Sequence, residues 1–255
     1  MINNGIKNEL VFANYLNGKK YCELNFLMRE LFKELYPFIK EESRISAWRD
    51  ESYNKADIIV EVKNKKKYLS LKIGDKNSFH LEPISEFIHF LIECGVKRET
   101  VMKYLEFHYA DGSRNGSGCN RIGVAEYKES HQSDIDEMNR ILKSKKMIEK
   151  CTDRFILRGR SKSDKQIDVL IYGMVNDFFY LTKYDIKKII NSNIEFETTG
   201  LHMGPLYIQP QSRNLNYNPK YEKCRYRVQI KWFNLFDYII KYKYELSIKE
   251  KNNFF

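Results

Sequence analysis

Cysteine is scarce in this 255-residue chain and scattered, at Cys22, Cys94, Cys119, Cys151 and Cys224. No two share the close spacing of a zinc knuckle, which argues against a structural zinc site. Long apolar runs are missing too. The N-terminus lacks the apolar core of a signal peptide, and no stretch is long enough to span a bilayer. A cytoplasmic protein with reduced thiols and no membrane partner is therefore expected. No phosphate-loop or dinucleotide-binding glycine pattern occurs, so no need for ATP or NAD is expected. His89, His108, His131 and His202 show no metal-ligand spacing. There is no internal repeat and no long low-complexity linker.

Positive charge, by contrast, is plentiful. The net charge is +10, from 44 Lys and Arg against 34 Asp and Glu, and the isoelectric point is near 9.2. A basic protein favours a polyanionic partner, most commonly nucleic acid. A generally lysine-rich surface would give the same number. The excess is uneven, however: residues 201 to 255 hold ten Lys and Arg against four Asp and Glu. This points to a basic face near the C-terminus.

The apolar spacing predicts helices over 5–17 and 22–36, the second closed by Pro37. A strand is expected over 44–48. Helices follow over 83–94, with Pro83 in the first turn and Gly95 at the end, and over 97–107. Residues 111–121 read as a loop, and 133–143 as a helix with Ser133 as its cap. Beyond that, a β-rich stretch is expected, with strands over 154–158, 167–172, 177–182, 205–210 and 225–233 and a helix over 183–191. Residues 211–220 read as loop. The expected division is 1–110 and 111–255, either as two parts or as one continuous domain.

Residues 55 to 72, KADIIVEVKNKKKYLSLK, are the most informative. They alternate with a period of two on either side of a lysine-rich turn, the pattern of a hairpin. Asp57 lies on one face of the first strand. Ser70 and Lys72 share a face of the second. An acid and a lysine on adjacent strands can bind a divalent metal and steer a water, which is the chemistry of phosphodiester cleavage.

Residues 5 to 95 resemble the PD-(D/E)xK nucleases, a superfamily that includes many type II restriction endonucleases. Asp57 matches the metal-binding strand Asp, and Lys72 matches the lysine that orients or deprotonates the water. Ala56 stands where the family has proline, and Ser70 stands where it has a second acid. The chain is similar to a variant with S-x-K on the strand and the acid moved to the following helix. That implies Glu86 as the second acid, with Glu82 as the alternative. Glu9, on the N-terminal helix, matches an acid that joins the metal site in this superfamily. His80 follows close behind Lys72 and can contact a phosphate or the water. The resemblance implies an α/β fold with a mixed central sheet flanked by helices, a β-rich C-terminal lobe and a Mg2+ cofactor.

The segment 225–232, RYRVQIKW, carries the strongest binding signal. Tyr226, Val228, Ile230 and Trp232 are expected to face the core. Arg225, Arg227, Gln229 and Lys231 would line the other face as a row of donors suited to base edges and phosphates. A plain solvated strand face reads the same way. Gln209, Arg213, Arg114 and Arg121, on loops, are further candidates for DNA contact.

The expected protein is a type II restriction endonuclease acting on double-stranded DNA with Mg2+. It would act as a homodimer if the recognised site is palindromic. A cognate DNA methyltransferase in the same system is implied, without a stable complex. A less specific repair or phage-defence nuclease, and a non-catalytic DNA-binding protein with a degenerate nuclease core, are the alternatives.

Overall fold

In chain order, the elements begin with α1 (Asn4–Leu16), α2 (Phe26–Leu35), β1 (Ser46–Arg49), β2 (Ile58–Val62), β3 (Lys65–Lys72) and β4 (Lys76–Pro83). Next come α3 (Ile84–Glu93), α4 (Arg98–Tyr109), α5 (Val124–Leu142) and α6 (Lys145–Cys151). The remainder are β5 (Val169–Met174), β6 (Asp177–Thr182), α7 (Lys183–Ser192), β7 (Leu201–Met203), β8 (Leu206–Pro210), β9 (Arg227–Phe233) and α8 (Leu235–Asn252). This computed structural model describes residues 4–52, 55–74, 76–118, 121–160, 165–195, 200–211 and 219–252. Arg213 lies outside the described residues.

The fold is mixed α/β with two sheets, ordered β1-β2-β3-β5-β6 and β4-β9-β8-β7. The chain divides into two compact units. One is Met1–Asn77, Ile156–Ile189 and Asn234–Phe255; the other is Ser78–Phe155 and Ile190–Phe233. A single cut near residue 110 does not describe this, because each unit is assembled from separate stretches.

In the first unit, the β2–β3 hairpin forms as the alternation predicts. Val62 pairs with Lys65 across the two-residue turn Lys63-Asn64. Both turn residues have positive φ, 49° and 64°, the geometry whose twist matches paired strands. β5 then joins β3 in parallel, Leu69 opposite Val169, and β6 follows β5 as an antiparallel hairpin. The strands expected over 167–172 and 177–182 therefore extend this sheet and are not a separate C-terminal lobe. Phe12 and Leu16 of α1 and Met28, Leu31 and Phe32 of α2 pack with Ile58, Val60, Leu69 and Ile171 of the sheet. Each such side chain contributes roughly 1.5–3 kcal/mol by leaving water. This apolar face, not the strand propensity of Lys65, Lys66 and Lys67, holds the hairpin. Asn25 caps α2 by accepting from the Met28 N–H at 2.9 Å, so the helix starts later than residue 22. Residues Tyr21–Glu23 form a short 3-10 turn instead.

In the second unit, α5 is two helical segments joined at a kink at His131 (φ −133°, ψ 33°); the later segment is the helix expected over 133–143, and a further segment from Val124 precedes it. Ile135, Met138 and Leu142 are buried at three- and four-residue steps along the later segment, and Tyr127 is buried in the earlier one. Residues 154–158, expected as a strand, lie in a π-helical turn, Thr152–Arg158. The strand expected from 225 starts at Arg227, after a 3-10 segment Pro219–Tyr226. Tyr226 is 45% exposed and so is not a core residue. Val228, Ile230 and Trp232 are buried as the alternation predicts. Among the described residues, no helix is long and apolar enough to cross a membrane.

Candidate functional site

Asp57 sits just before β2. Its N–H donates to the Leu69 carbonyl at 2.8 Å, which extends the strand pairing by one step and sets Asp57 across from Ser70. One carboxylate oxygen, Oδ2, then accepts from the Ser70 hydroxyl at 2.9 Å and from the Leu71 N–H at 2.6 Å. Ser70 is buried. The serine that replaces the expected second acid thus orients Asp57. Among the described residues, Oδ1 accepts no hydrogen bond, and Asp57 is half-buried.

Lys72 ends β3 opposite Tyr172 of β5 and is half-buried. A second lysine, which the family motif does not include, belongs with it. The side chain of Lys55 is half-exposed overall, but its ammonium is closely surrounded by protein. Burial and the charge of Lys72 push its pKa down to about 7, against the opposite pull of Asp57. Lys55 therefore feels both Lys72 and Asp57. The two-residue spacing K-x-D was the available sequence signal, since residues two apart share a face in extended chain.

Glu9 of α1 accepts from Arg49 Nε of β1 at 2.7 Å. Glu9, and more weakly Asp57, raise the pKa of Arg49. The structure therefore brings Glu9, Arg49, Asp57, Ser70, Lys72 and Lys55 into one neighbourhood of the first unit. Glu9 enters it already neutralised by a guanidinium.

Glu82 and Glu86 lie in the second unit. Glu82 is not on the helix with Glu86; β4 runs to Pro83 and α3 begins at Ile84. The proline at the junction cannot donate and ends the strand. The Glu82 side chain is 1% exposed. Its Oε2 accepts from Arg154 at 2.6 Å and lies 3.1 Å from His80 Nε2. Burial pushes the Glu82 pKa up, but the bonds and charges of His80 and Arg154 outweigh this and hold it below the usual range. Arg154 also lies 4.0 Å from Glu86. His80 packs against Phe155, with ring centroids 5.0 Å apart. Glu82 and His80 are thus parts of a buried ionic cluster.

Among the described residues, no group of three or more His, Cys, Asp and Glu is placed to hold a metal ion. Mg2+ is commonly held by one or two carboxylates, with substrate phosphates and water completing its shell.

The expected DNA-contact residues separate into two groups. Arg225 precedes the strand; its guanidinium pairs with the buried Asp111 and donates to the Gly118 carbonyl at 3.2 Å. Arg121 is buried and donates to the carbonyls of His108 and Tyr109, closing the C-terminal end of α4. Arg114 pairs with Glu106. These three arginines hold the protein's own chain together. Arg227 is exposed, and Gln229 and Lys231 are half-buried on the same face of β9. Gln209 Nε2 donates to Gln229 Oε1 at 3.3 Å, and Gln229 Nε2 donates to Ser78 Oγ at 3.0 Å. A polar ladder therefore crosses β8, β9 and β4, flanked by two cations.

The chain matches no protein-family model, no curated protein and no solved structure.

Proposed function

We propose that this protein is a Mg2+-dependent DNA endonuclease of the type II restriction class. The observation that carries this reading is the Asp57 carboxylate, with one oxygen fixed by Ser70 and Leu71 and no hydrogen bond to the other among the described residues, in a neighbourhood shared with Lys72. The five-stranded mixed sheet with α1 and α2 packed on it agrees with the architecture implied by the PD-(D/E)xK resemblance. Asp57 would hold the metal. When bound, Mg2+ lowers the pKa of a water and stabilises charge on the phosphate. Lys72 would orient the attacking water by hydrogen bonding, and its positive charge would favour a phosphate beside it. Ser70 keeps Asp57 in one rotamer. A symmetric dimer would cut a palindromic site.

The commitment of Glu82 to Arg154, and of Glu9 to Arg49, supports a second reading, a DNA-binding protein whose nuclease core has lost its acids. Incubating the purified protein with plasmid and Mg2+ and mapping the fragment ends separates the readings. Fixed ends at one sequence support restriction. Scattered ends indicate a less specific repair or defence nuclease. Intact plasmid with tight binding leaves only the second reading.

If α3 supplies the second acid, Glu86→Ala cuts no better than Asp57→Ala and melts at the wild-type temperature. Ser70→Ala removes one hydrogen bond from Asp57 while the Leu71 N–H remains. Its cleavage rate should stay within about tenfold of wild type. An active Glu86→Ala removes the displaced-acid idea.

For readout, Arg227→Ala and Gln229→Ala should weaken cognate binding more than random-sequence binding, by roughly 1–3 kcal/mol. Lys231→Ala should weaken all sequences alike and lower the salt slope by about one. Filter binding at several salt concentrations checks this, and unchanged affinities would take β9 out of the DNA face.

A further inference from the structure

We propose that the second unit carries a separate binding pocket for a nucleoside phosphate. A cavity of about 390 Å3 lies among the α3–α4 turn, the start of α4, the end of α5 and the start of α6. Lys97, Arg140, Lys146 and Lys150 line it, against one acid, Glu137. That acid is already engaged, 2.7 Å from Lys103 and 3.3 Å from Thr100 Oγ1. Among the described residues, none of the four lining cations has an ion-pair partner. Four like charges around one cavity repel each other, and the one lining acid, Glu137, which feels Arg140, offsets only part of this. A bound polyanion would offset the rest.

The backbone adds to the same preference. α4 opens into the pocket wall at Thr100, and Lys97 at its N-cap position makes no side-chain capping bond. The first-turn N–H groups of a helix point outward and favour an anion. The lining also has the apolar side chains of Val96, Ile141 and Met147, beside Cys94, Gly95 and Ser144. A lining that combines cations with apolar side chains suits a ligand that joins phosphate to a flat ring. The volume falls in the usual range for small-molecule sites, roughly 300–1,000 Å3. It admits a nucleotide but not a duplex. None of the lining residues belongs to the Asp57 neighbourhood or to the β9 face, so this inference stands apart from the nuclease reading.

The test is calorimetric titration of the full chain with ATP, AMP, adenosine and inorganic phosphate. ATP should bind most tightly, AMP more weakly, and adenosine not measurably. Arg140→Glu and Lys146→Glu change exposed side chains without partners, so both should melt as wild type does. Each should weaken ATP binding by about tenfold or more, the scale of losing one charge-assisted hydrogen bond, with DNA binding unchanged. Should either variant melt early, Arg140→Gln and Lys146→Gln serve in its place. ATP binding unaffected by these changes would overturn the proposal. Inorganic phosphate binding as tightly as ATP would also overturn it, since the apolar side chains would then have no role. So would duplex DNA that displaces ATP and itself weakens in the same variants, because the pocket would then be part of a DNA track.

Discussion

Asp57→Asn is expected to fold, to bind duplex DNA as the wild type does, and to leave that DNA uncut in Mg2+. The asparagine oxygen can still accept from Ser70 and from the Leu71 N–H, so the local hairpin geometry survives. What disappears is the negative charge that would hold the metal. Lys72→Ala should lose roughly 10²- to 10⁴-fold in cleavage, the usual contribution of a group that positions or moves a proton. Agarose assays over a range of Mg2+ concentrations, paired with binding isotherms, measure both effects. Normal cutting by either folded variant would remove the proposed site. Loss of both cutting and binding would place these residues in DNA contact instead.

Arg154→Ala is expected to destabilise the protein by about 3–5 kcal/mol, because it strands a buried carboxylate. At roughly 2–4 °C per kcal/mol for a chain of this size, the melting temperature should fall by about 10 °C. Adding Glu82→Gln to Arg154→Ala should recover part of the loss, since the uncompensated charge goes with it. The pH dependence follows from the direction of the Glu82 shift. Its folded pKa lies below the unfolded value, so its contribution is complete above the unfolded pKa, and it disappears as pH falls through the folded one. Urea melts at neutral pH and near pH 3 should therefore differ less for the Arg154→Ala protein than for the wild type. An unchanged melting temperature would mean that this cluster is not the anchor it resembles. The experiment also guards the search for the second acid. A dead Glu82→Ala protein that melts early speaks of folding, whereas a dead Glu86→Ala protein that melts normally speaks of chemistry.

The parts of the fold that can be read in advance are those whose cause is local. The β2–β3 hairpin shows in its alternation and its turn, and α3 shows between Pro83 and Gly95. The pairing of Asp57 with Ser70 follows from that hairpin. Lys55 was also within reach, two residues before Asp57. What stays hidden depends on partners far along the chain. Glu82 meets Arg154 across 72 positions, and Arg225 meets Asp111 across 114. Nothing near Arg225 or Arg121 distinguishes an arginine that ties down a carbonyl or a buried acid from one that waits for a phosphate. The strands of residues 169–182 look like part of a late lobe because a parallel partner leaves no mark in either strand. Helix α8 is absent from the expected elements, although Leu235, Ile239 and Tyr242 are buried at helical steps.

The parallel join of β3 to β5 has a consequence for how the chain folds. β3 ends at Lys72 and β5 begins at Val169, so the central sheet cannot close until a long intervening stretch has been made and brought round. Such distant pairings are reached slowly, because the entropy of closing the loop must be lost before the contacts repay it. Until then the edge of β3 that carries Ser70 and Lys72 has unpaired backbone groups, a template for pairing with another chain. During synthesis, the strand on which the proposed chemistry depends is thus exposed to misassembly, as is β4, whose partner β9 comes later still. The lysines at 65, 66 and 67, at the start of that same strand, are the kind of charge that keeps such an edge from finding the wrong neighbour.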